Sequence, residues 1–548
     1  MARNEYPRPM LRRRDWVNLN GQWEFGAGES RVFDRTITVP FCPQSTLSGL
    51  AEPEPGDVVW YRRRFDAPPA KRLLLHFGAV DYRATVWVNG EEVAAHEGGH
   101  TPFTADISNV ARETDNELVV QVEDTLSDRT VPRGKQYWTA KPETIFYTAT
   151  IGIWQTVWLE PLPARAITSL QIEPDYDAGA VTVRCEGDGR KSVTVTLAGE
   201  EVGHWSGTDG SCRVPLSRIA AWSPEHPNLY SIEVVLHDRA GREVDHVSSH
   251  FGLRKIETRG GKFWLNSEPY FQRLVLDQGY FPGGLLTAAT DGDFRRDIEL
   301  AKSLGFNGAR KHQKIEDPRW LWWADRLGFL VWEEMPSFHQ HSAAAERRLA
   351  DEWEQAVLRD RGHPSIVAWV PANESFGLQS VAPEVASRFL EGLYHFTHDL
   401  DGTRPVISND GWEHTHTDLC TLHDYNPAHA LKRRYGRLHT ALDADAHPKP
   451  LYLPGYEFRG EPLIVSEFGG IALARSGGFG WSEVENVEEF IAMYREMVEA
   501  LTQHGPVEGF GYTQLTDVEQ ERNGLLTADR VPKADIATLR EITESPKL

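Results

Sequence analysis

Short runs of alternating apolar and polar residues, separated by turn signals, fill the first 160 positions of the chain. Examples are Ala84-Thr-Val-Trp-Val, which precedes the turn pair Asn89-Gly90, and Glu117-Leu-Val-Val-Gln-Val. An alternation of period two is typical of strands with one buried face. The rhythm continues to about Gly252 in runs such as Tyr230-Ser-Ile-Glu-Val-Val-Leu. The sequence therefore predicts two β-sandwiches, a larger one over residues 1–163 and a smaller one over residues 164–252.

After Gly252 the pattern changes, and helical stretches such as Asp293-Phe-Arg-Arg-Asp-Ile-Glu-Leu alternate with short apolar runs. Strands that alternate with helices predict a parallel sheet. Eight candidate strands match a closed (β/α)₈ barrel, the TIM barrel, over residues 253–548. The candidate strands are Tyr270–Val275, Phe306–Arg310, Leu330–Glu333, Ile366–Val370, Pro405–Ser408, Leu419–Leu422, Leu463–Glu467 and Val507–Thr513.

Charge narrows the choice of partners. The chain has 548 residues, with 58 basic and 80 acidic side chains, and its net charge is −22. This balance speaks against nucleic acid and against anionic membranes, and it favours uncharged ligands. The N-terminus has no apolar stretch of signal-peptide length, and no apolar run approaches the roughly twenty residues that span a bilayer. We therefore expect a cytoplasmic location, and a homo-oligomer is compatible with the sequence.

The chain contains four cysteines, Cys42, Cys185, Cys212 and Cys420. None forms a close pair with the spacing of metal ligands. Cys185 and Cys212 share the predicted small sandwich and would pair only in an oxidising compartment. We expect all four cysteines to be reduced.

Two glutamates each follow an apolar run that is typical of a strand. Glu374 comes shortly after Ile366-Val-Ala-Trp-Val, and Glu467 comes after Leu463-Ile-Val-Ser. The C-terminal ends of barrel strands open into the cleft that holds the chemistry of such enzymes. Glycoside hydrolysis needs one protonated carboxyl group that gives its proton to the leaving oxygen, and one ionised carboxylate on the other side of the anomeric carbon. The two glutamates therefore predict a glycosidase.

Motifs along most of the chain carry a resemblance to a known family. The first sandwich contains Leu19-Asn-Gly-Gln-Trp, Val86-Trp-Val-Asn-Gly and His96-Glu-Gly-Gly-His-Thr-Pro-Phe, and Gly152-Ile-Trp-Gln-Thr-Val-Trp-Leu leads out of it. From near Leu19 to near Lys533 the chain resembles glycoside hydrolase family two, the group of β-galactosidases, β-glucuronidases and β-mannosidases. The resemblance implies a jelly-roll domain of the sugar-binding type, an immunoglobulin-like sandwich and a TIM barrel.

The resemblance also implies roles for particular residues. His363-Pro-Ser-Ile-Val-Ala-Trp followed by Asn373-Glu374 resembles the acid/base motif, with Glu374 as proton donor and Asn373 as a partner of the sugar 2-hydroxyl. Ser466-Glu467-Phe-Gly resembles the nucleophile motif. Tyr425 and Arg310 match positions that keep the nucleophile ionised. Family members retain the anomeric configuration, which predicts carboxyl groups about 5 Å apart and a covalent intermediate.

Three departures from the family pattern concern the sugar. Many members continue from the matching arginine into Ser-His-Tyr-Pro, whereas this chain has Lys311-His312-Gln313. Tyr512 stands where well-known members have the tryptophan that floors the sugar pocket. The Asn-x-Lys carboxylate clamp of glucuronidases has no clear match, which argues against glucuronides. We expect an exo-glycosidase of the β-galactosidase type, and α-L-arabinosides, β-mannosides, β-glucuronides and galactofuranosides stay open as alternatives.

Further residues at the ends of predicted barrel strands are candidate substrate contacts. They are Asp277, His312, Gln313, Trp412, His414, His423 and Tyr512. Glu333 and Glu334 also follow a strand, and we expect them to be ion-pair partners that support the site.

Two alternatives belong to other functional classes. His339-Gln-His341 and His414-Thr-His416, with Asp418, His423 and Asp424, resemble the ligand pairs of a metal-dependent barrel hydrolase. The histidine pair expected after the first strand of such enzymes is missing, and no predicted helix carries His-Glu-x-x-His. A non-catalytic carbohydrate-binding protein would use the sandwiches but would need no proton donor. We therefore expect an enzyme with a glycoside or oligosaccharide substrate, no metal and no organic cofactor.

Overall fold

The computed structural model describes residues 3–443, 447–474, 477–503 and 505–545. The first part of the chain forms an antiparallel sandwich of a four-stranded sheet (β1-β12-β5-β9) and a six-stranded sheet (β3-β2-β4-β10-β7-β8), with β6 and β11 paired beside them. Its strands are β1 Val17–Asn18, β2 Gly21–Ala27, β3 Arg35–Val39, β4 Val58–Phe65, β5 Arg72–Phe77, β6 Val80–Asp81, β7 Arg83–Val88, β8 Glu91–Glu97, β9 Phe103–Asp106, β10 Asn116–Glu123, β11 Gly152–Ile153 and β12 Val157–Leu162. A short 3₁₀ helix, Pro9–Leu11, precedes β1, and a second one, Thr46–Ser48, lies between β3 and β4.

The second sandwich packs a sheet of three strands (β13-β14-β17) against one of four (β16-β15-β18-β19). Its strands are β13 Ser169–Asp175, β14 Ala180–Glu186, β15 Arg190–Leu197, β16 Glu200–Gly207, β17 Ser211–Pro215, β18 Tyr230–His237 and β19 Glu243–Phe251. In β18 every second side chain, from Tyr230 to Leu236, is buried, as the alternating sequence predicts. All four cysteines of the chain are free and buried.

A barrel follows the two sandwiches. A small sheet of β20 Ile256–Arg259, β21 Lys262–Leu265 and β22 Glu268–Pro269 precedes it. Within the described residues, seven parallel strands pair in the order β26-β25-β24-β23-β31-β28-β27. They are β23 Gln272–Asp277, β24 Gly308–Lys311, β25 Leu330–Glu334, β26 Ile366–Val370, β27 Cys420–Asp424, β28 Leu463–Gly469 and β31 Val507–Thr513, while β29 Ile471–Leu473 and β30 Ser482–Val484 pair with each other.

Helices alternate with the barrel strands. They are α1 Asp291–Ser303, α2 Pro318–Leu327, α3 Ala343–Asp360, α4 Pro383–Leu400, α5 Ala428–Tyr435, α6 Leu438–Ala441, α7 Val487–Thr502 and α8 Ile536–Thr543. Capping side chains explain where several of them begin. Asp317 accepts a hydrogen bond from the Arg319 amide, Ser342 from Ala345 and Asn486 from Glu489, each satisfying a first-turn N–H.

The predicted fifth barrel strand is only partly formed. Val406 makes one parallel bridge to Trp369, and the Ile407 amide donates to the Trp369 carbonyl over 2.9 Å. Pro405 has no N–H to offer to the ladder. On the other side the Val406 carbonyl accepts from the Asp418 amide of a loop, over 3.0 Å. The segment therefore closes the barrel as an extended connection rather than as a full strand.

The predicted fold class is confirmed: two sandwiches and a C-terminal barrel. Strand β12 ends at Leu162 and β19 at Phe251, close to the predicted domain boundaries, which stay predictions. Helices and strands of the barrel enclose one apolar layer, and the interior of the barrel holds a second cluster that includes Leu274, Trp332 and Ile464. Among the described helices, none is long and apolar enough to cross a bilayer.

Candidate active site

Glu374 stands after β26 in an unusual backbone conformation. Its φ is 52°, and that of Ser375 is 53°, so two non-glycine residues lie in the left-handed region. Such a conformation costs about 1–3 kcal/mol and persists where surroundings enforce it. Here the Glu374 amide donates to the Asp410 carbonyl over 2.9 Å, and the Ser375 amide donates to Asn409 Oδ1 over 2.9 Å. The segment after the fifth barrel position thus fixes the direction of the Glu374 side chain.

Glu467 lies near the end of β28 and is buried. Arg310 Nη1 donates to its Oε1 over 2.9 Å, and the Tyr425 hydroxyl donates to its Oε2 over 2.6 Å. Burial raises the pKa of Glu467, but His423 and Arg310 outweigh that effect, and the net pKa lies below its usual value. The side chain is therefore held as a carboxylate, the form that a nucleophile needs.

His423 lies between the two glutamates. Its Nδ1 is 2.7 Å from Glu374 Oε1 and 3.5 Å from Glu467 Oε2, and its Nε2 is 3.1 Å from Asp410 Oδ2. Burial alone would lower the pKa of His423, but Glu467 and Asp410 raise it to about 10. Since both ring nitrogens face carboxylates, His423 is an imidazolium that donates from both sides.

The two glutamates are close together. One carboxylate oxygen of Glu374 and one of Glu467 lie within 4.8 Å of each other, with a nitrogen of His423 inside the same limit. Retaining glycosidases hold their two carboxyl groups about 5–5.5 Å apart, whereas inverting enzymes leave a wider gap for a water molecule. The separation therefore fits the retaining geometry.

Arg310 organises the acidic groups beneath the pair. It is fully buried, and its Nη2 lies 2.8 Å from Glu334 and 2.5 Å from Asp410. Glu334 is thus an ion-pair partner, as the sequence suggested. The same expectation is wrong for Glu333, because neither of its carboxyl oxygens has a partner among the described residues. Burial and the neighbouring Asp360 raise its pKa well above the usual range.

Several buried polar atoms at this end of the barrel lack a hydrogen-bond partner among the described residues. They are Asn373 Nδ2, Gln313 Nε2 and Trp412 Nε1. Asn373 also accepts from Arg310, and the Trp412 ring meets His423 edge-on with centroids 5.5 Å apart. Unsatisfied buried donors cost about 1–3 kcal/mol each. Hydroxyl groups of a sugar would supply the missing acceptors.

The structure contradicts two of the predicted substrate contacts. Tyr512 is fully buried, with its ring against Phe468 and Tyr494 in the layer between the sheet and α7. The next residue, Thr513, faces the site instead, with its hydroxyl 3.0 Å from that of Tyr425. His414 is also fully buried, and its Nε2 donates a hydrogen bond to the Thr421 carbonyl over 2.9 Å.

Asp277 and His312 lie at the ends of their strands, as predicted, and both are buried. Asp277 pairs with Lys311 over 2.8 Å, and its other oxygen accepts from the Gly279 amide. His312 Nδ1 is 3.0 Å from Glu334. Contact of either residue with substrate stays a prediction.

The histidine pairs that suggested a metal do not converge. His339 donates to the Gly134 carbonyl, and His341 pairs with Glu346. His414 faces Thr421, while His416 pairs with Glu391. Each histidine thus has its own protein partner, and the predicted pairs do not assemble into one site with His423 and Asp424.

Sequence reasoning missed Asp410. This buried aspartate accepts from the Ser466 hydroxyl at 2.8 Å and contacts both Arg310 and His423. Burial raises its pKa, but Arg310 and His423 lower it far below the usual range. Its position shortly after the fifth predicted strand was the one feature of the sequence that could have indicated Asp410.

The fold and the two carboxyl groups define the class of protein, a multidomain barrel glycoside hydrolase. Three segments of the chain match models of known protein families. Residues 287–547 match "Glycosyl hydrolases family 2, TIM barrel domain". Residues 165–254 match "Glycosyl hydrolases family 2", and residues 56–146 match "Glycosyl hydrolase 2 galactose-binding domain-like". The chain belongs to glycoside hydrolase family 2 and is an O-glycosyl hydrolase, as its motifs predicted.

The names of similar proteins are consistent with this family. A β-glucuronidase of Paenibacillus borealis is 27% identical over 98% of both chains. A β-galactosidase of Thermoanaerobacter pseudethanolicus is 28% identical over 72% of this chain and 54% of its own length. The solved structure of a Ruminococcus gnavus β-glucuronidase with D-glucuronic acid superimposes with a TM-score of 0.79 at 22% identity, covering 98% of this chain and 99% of that one.

Proposed function

We propose that this enzyme is a retaining exo-glycosidase in which Glu467 is the nucleophile and Glu374 the acid and base. The observation that carries the proposal is the pair of carboxylate oxygens within 4.8 Å of each other. Their surroundings differ. Glu467 accepts from Arg310 and Tyr425, whereas the Glu374 side chain contacts His423 and stays 18% exposed.

The reaction has two displacements. A Glu467 oxygen attacks the anomeric carbon while the bond to the leaving oxygen breaks and Glu374 gives that oxygen its proton. The result is a glycosyl ester of Glu467. Glu374 then takes a proton from water, the water oxygen attacks the anomeric carbon, and the ester bond breaks. Two inversions give net retention.

The surrounding charges support both steps. Arg310 and His423 stabilise the Glu467 carboxylate before attack and again when it leaves. Once Glu467 is esterified it no longer carries a charge, and the His423 cation then faces Glu374 alone on that side.

For the sugar we propose β-D-glucuronides first. The Paenibacillus borealis relative, which matches this chain over nearly its whole length, is named a β-glucuronidase, and the Ruminococcus gnavus structure holds D-glucuronic acid. β-Galactosides are the second candidate, since another relative is named a β-galactosidase and the sequence motifs led to the same expectation. The missing Asn-x-Lys clamp does not fit glucuronides, unless another cation takes its place.

The test combines a substrate panel with removal of the nucleophile. The wild-type enzyme is assayed on 4-nitrophenyl β-D-glucuronide, β-D-galactopyranoside, β-D-mannoside, α-L-arabinopyranoside and β-D-galactofuranoside. Glu467→Ala should lose activity by at least about 10⁴-fold, and azide should restore turnover with a glycosyl azide of inverted configuration. Glu483→Ala, an exposed glutamate on β30, is the matched control. Unchanged turnover in Glu467→Ala would end the proposal.

A further inference from the structure

The first sandwich reaches the mouth of the barrel through the loop between β10 and β11. The Gly134 amide donates to the Ser337 carbonyl over 3.0 Å, and His339 Nε2 donates to the Gly134 carbonyl over 2.7 Å. Gly134 has a φ of 57°, and a Cβ placed there would lie 2.3 Å from the Gln313 carbonyl oxygen. The loop is therefore in direct contact with the strand end that carries His312 and Gln313.

Lys135 follows this contact and is only 6% exposed. Its carbonyl accepts from the Tyr147 amide over 2.8 Å, and its Nζ lies 5.5 Å from the centre of the Phe146 ring. Among the residues that the structure describes, no acceptor forms an ion pair or hydrogen bond with this ammonium. A buried ammonium without a partner is unfavourable, so an acceptor from outside the chain would stabilise it.

Lys135 lies near the catalytic pair, because the Phe146 ring that it faces is 6.1 Å from the ring of Phe376, two residues after Glu374. Burial lowers the pKa of His312, and the charge of Lys135 lowers it further. Burial raises the pKa of Glu521, and Lys135 acts against that rise. Both His312 and Glu521 also interact electrostatically with Glu467, so Lys135 shares its surroundings with the nucleophile.

The acidic groups nearby already have donors. Glu521 accepts from the Tyr147 hydroxyl at 2.5 Å and from Asn523 Nδ2 at 3.0 Å. Glu519 accepts from the Thr148 amide at 3.1 and 3.2 Å. Burial raises the pKa of both glutamates. Lys135 is thus a cation in this wall whose bonding capacity is unused.

We propose that Lys135 binds the carboxylate of a uronic acid at the terminal sugar position, so that the first sandwich supplies the cation that the barrel motif lacks. The inference rests on the proposed glycosidase function and refines its substrate class. It also explains how a chain without the Asn-x-Lys clamp accepts glucuronides. An ammonium matches a carboxylate as a charge-assisted hydrogen bond, which is about twice as strong as a neutral one.

The experiment compares a charged substrate with its uncharged twin. kcat and KM are measured on 4-nitrophenyl β-D-glucuronide, on its methyl ester and on the β-D-galactopyranoside. Lys135→Met should lower kcat/KM for the glucuronide about 100-fold, mainly through KM, since a lost hydrogen bond to a charged group is worth a factor of this order. Hydrolysis of the ester and the galactoside should change little. Lys135→Arg should retain most glucuronide activity.

Lys141→Met is the matched control, because it removes an exposed lysine from the same loop and should change nothing. Equal losses on acid and ester would show that Lys135 only balances charge, which overturns the proposal. A wild-type enzyme that hydrolyses the galactoside but not the glucuronide would also overturn it while the two-glutamate mechanism survives. If the wild type hydrolyses no glycoside, the proposed function itself fails.

A separate binding measurement tests the proposal even if one variant folds poorly and its activity cannot be interpreted. Thermal unfolding of wild type, Lys135→Met and the uncharged, polar Lys135→Gln is followed with and without D-glucuronate. The wild type should be stabilised by D-glucuronate more than by D-galactose, and both variants should lose that difference. Equal stabilisation of wild type and Lys135→Gln by D-glucuronate would contradict the inference.

Discussion

Nδ1 of His423 lies 2.7 Å from Oε1 of Glu374. The same nitrogen is 3.5 Å from Glu467, and the opposite ring nitrogen faces Asp410. One imidazolium therefore connects the proposed acid/base and nucleophile with a third carboxylate. Without its charge, Glu467 and Asp410 would keep Arg310 as their shared cation, and Glu374 would lose the cation that it contacts.

This arrangement predicts how stability depends on pH. The pKa of His423 is about 10 in the folded protein, against about 6.5 when unfolded. Because the folded value is raised, its contribution is fully present below pH 6.5 and is lost as the pH rises through 10. The free energy of unfolding should fall across this window in the wild type and fall less in His423→Gln. Urea unfolding at pH 6, 8 and 9.5 measures this, and parallel curves for the two proteins would contradict it.

Tyr425→Phe should impair the nucleophile. The Tyr425 hydroxyl helps to lower the pKa of Glu467, so its removal raises that pKa. The acidic limb of the kcat/KM profile should move to higher pH, and kcat should fall about 10- to 100-fold. Tyr176→Phe, in the second sandwich, serves as the control. An unshifted acidic limb would show that the hydroxyl does not act on Glu467.

The activity of Glu374→Ala should depend on the leaving group of the substrate. Aglycons that leave without protonation should still be released, whereas poor leaving groups should react about 10²- to 10⁴-fold more slowly. Azide should accelerate the second step and give a glycosyl azide of retained configuration. A uniform loss for 2,4-dinitrophenyl and alkyl glycosides would remove Glu374 from the acid/base role.

Asp325→Asn should destabilise the junction between the second sandwich and the barrel. Nε2 of His250, on β19, lies 2.7 Å from Oδ2 of Asp325. Nδ1 of His363, which precedes β26, lies 2.6 Å from the same oxygen. Removing one charge from a buried, hydrogen-bonded group costs about 3–5 kcal/mol. Denaturant unfolding should show this loss, while Asp399→Asn, on α4, should be neutral. If Asp325→Asn is as stable as the wild type, the contacts of Asp325 with His250 and His363 do not stabilise the junction.

Exhaustive dialysis against a chelator should leave kcat/KM unchanged, because both displacements use carboxyl groups of the chain. The metal-dependent hydrolase that the histidine pairs suggested would lose activity and regain it with a divalent cation. Activity before and after dialysis, with the metal content of the protein, decides between the two.

Periodicity was sufficient for most of the fold. Ile366–Val370 is buried along its whole length, as a continuous apolar run in a parallel sheet predicts. Pro405–Ser408 looked like a strand by composition, but pairing depends on which neighbours offer donors, and the sequence does not show this. The two glutamates could be proposed from the sequence because each comes shortly after an apolar run.

Side-chain direction and long-range contacts were harder to predict. Tyr512 was matched by motif, yet in a strand adjacent residues face opposite sides, and Thr513 is the one that faces Tyr425. His414 was placed correctly along the chain, but its burial against Thr421 could not be predicted. Lys135 comes from another domain, so no spacing along the barrel sequence could have indicated it.

The tight contact at Gly134 has a consequence for how such an enzyme can change. The chemistry is built on barrel residues, while one wall of the cleft comes from a loop more than two hundred positions earlier. Substitutions in that loop could redirect the enzyme to other sugars and leave both glutamates untouched. The space beside Gln313 limits this freedom, because any side chain larger than hydrogen at position 134 would clash with the Gln313 carbonyl oxygen.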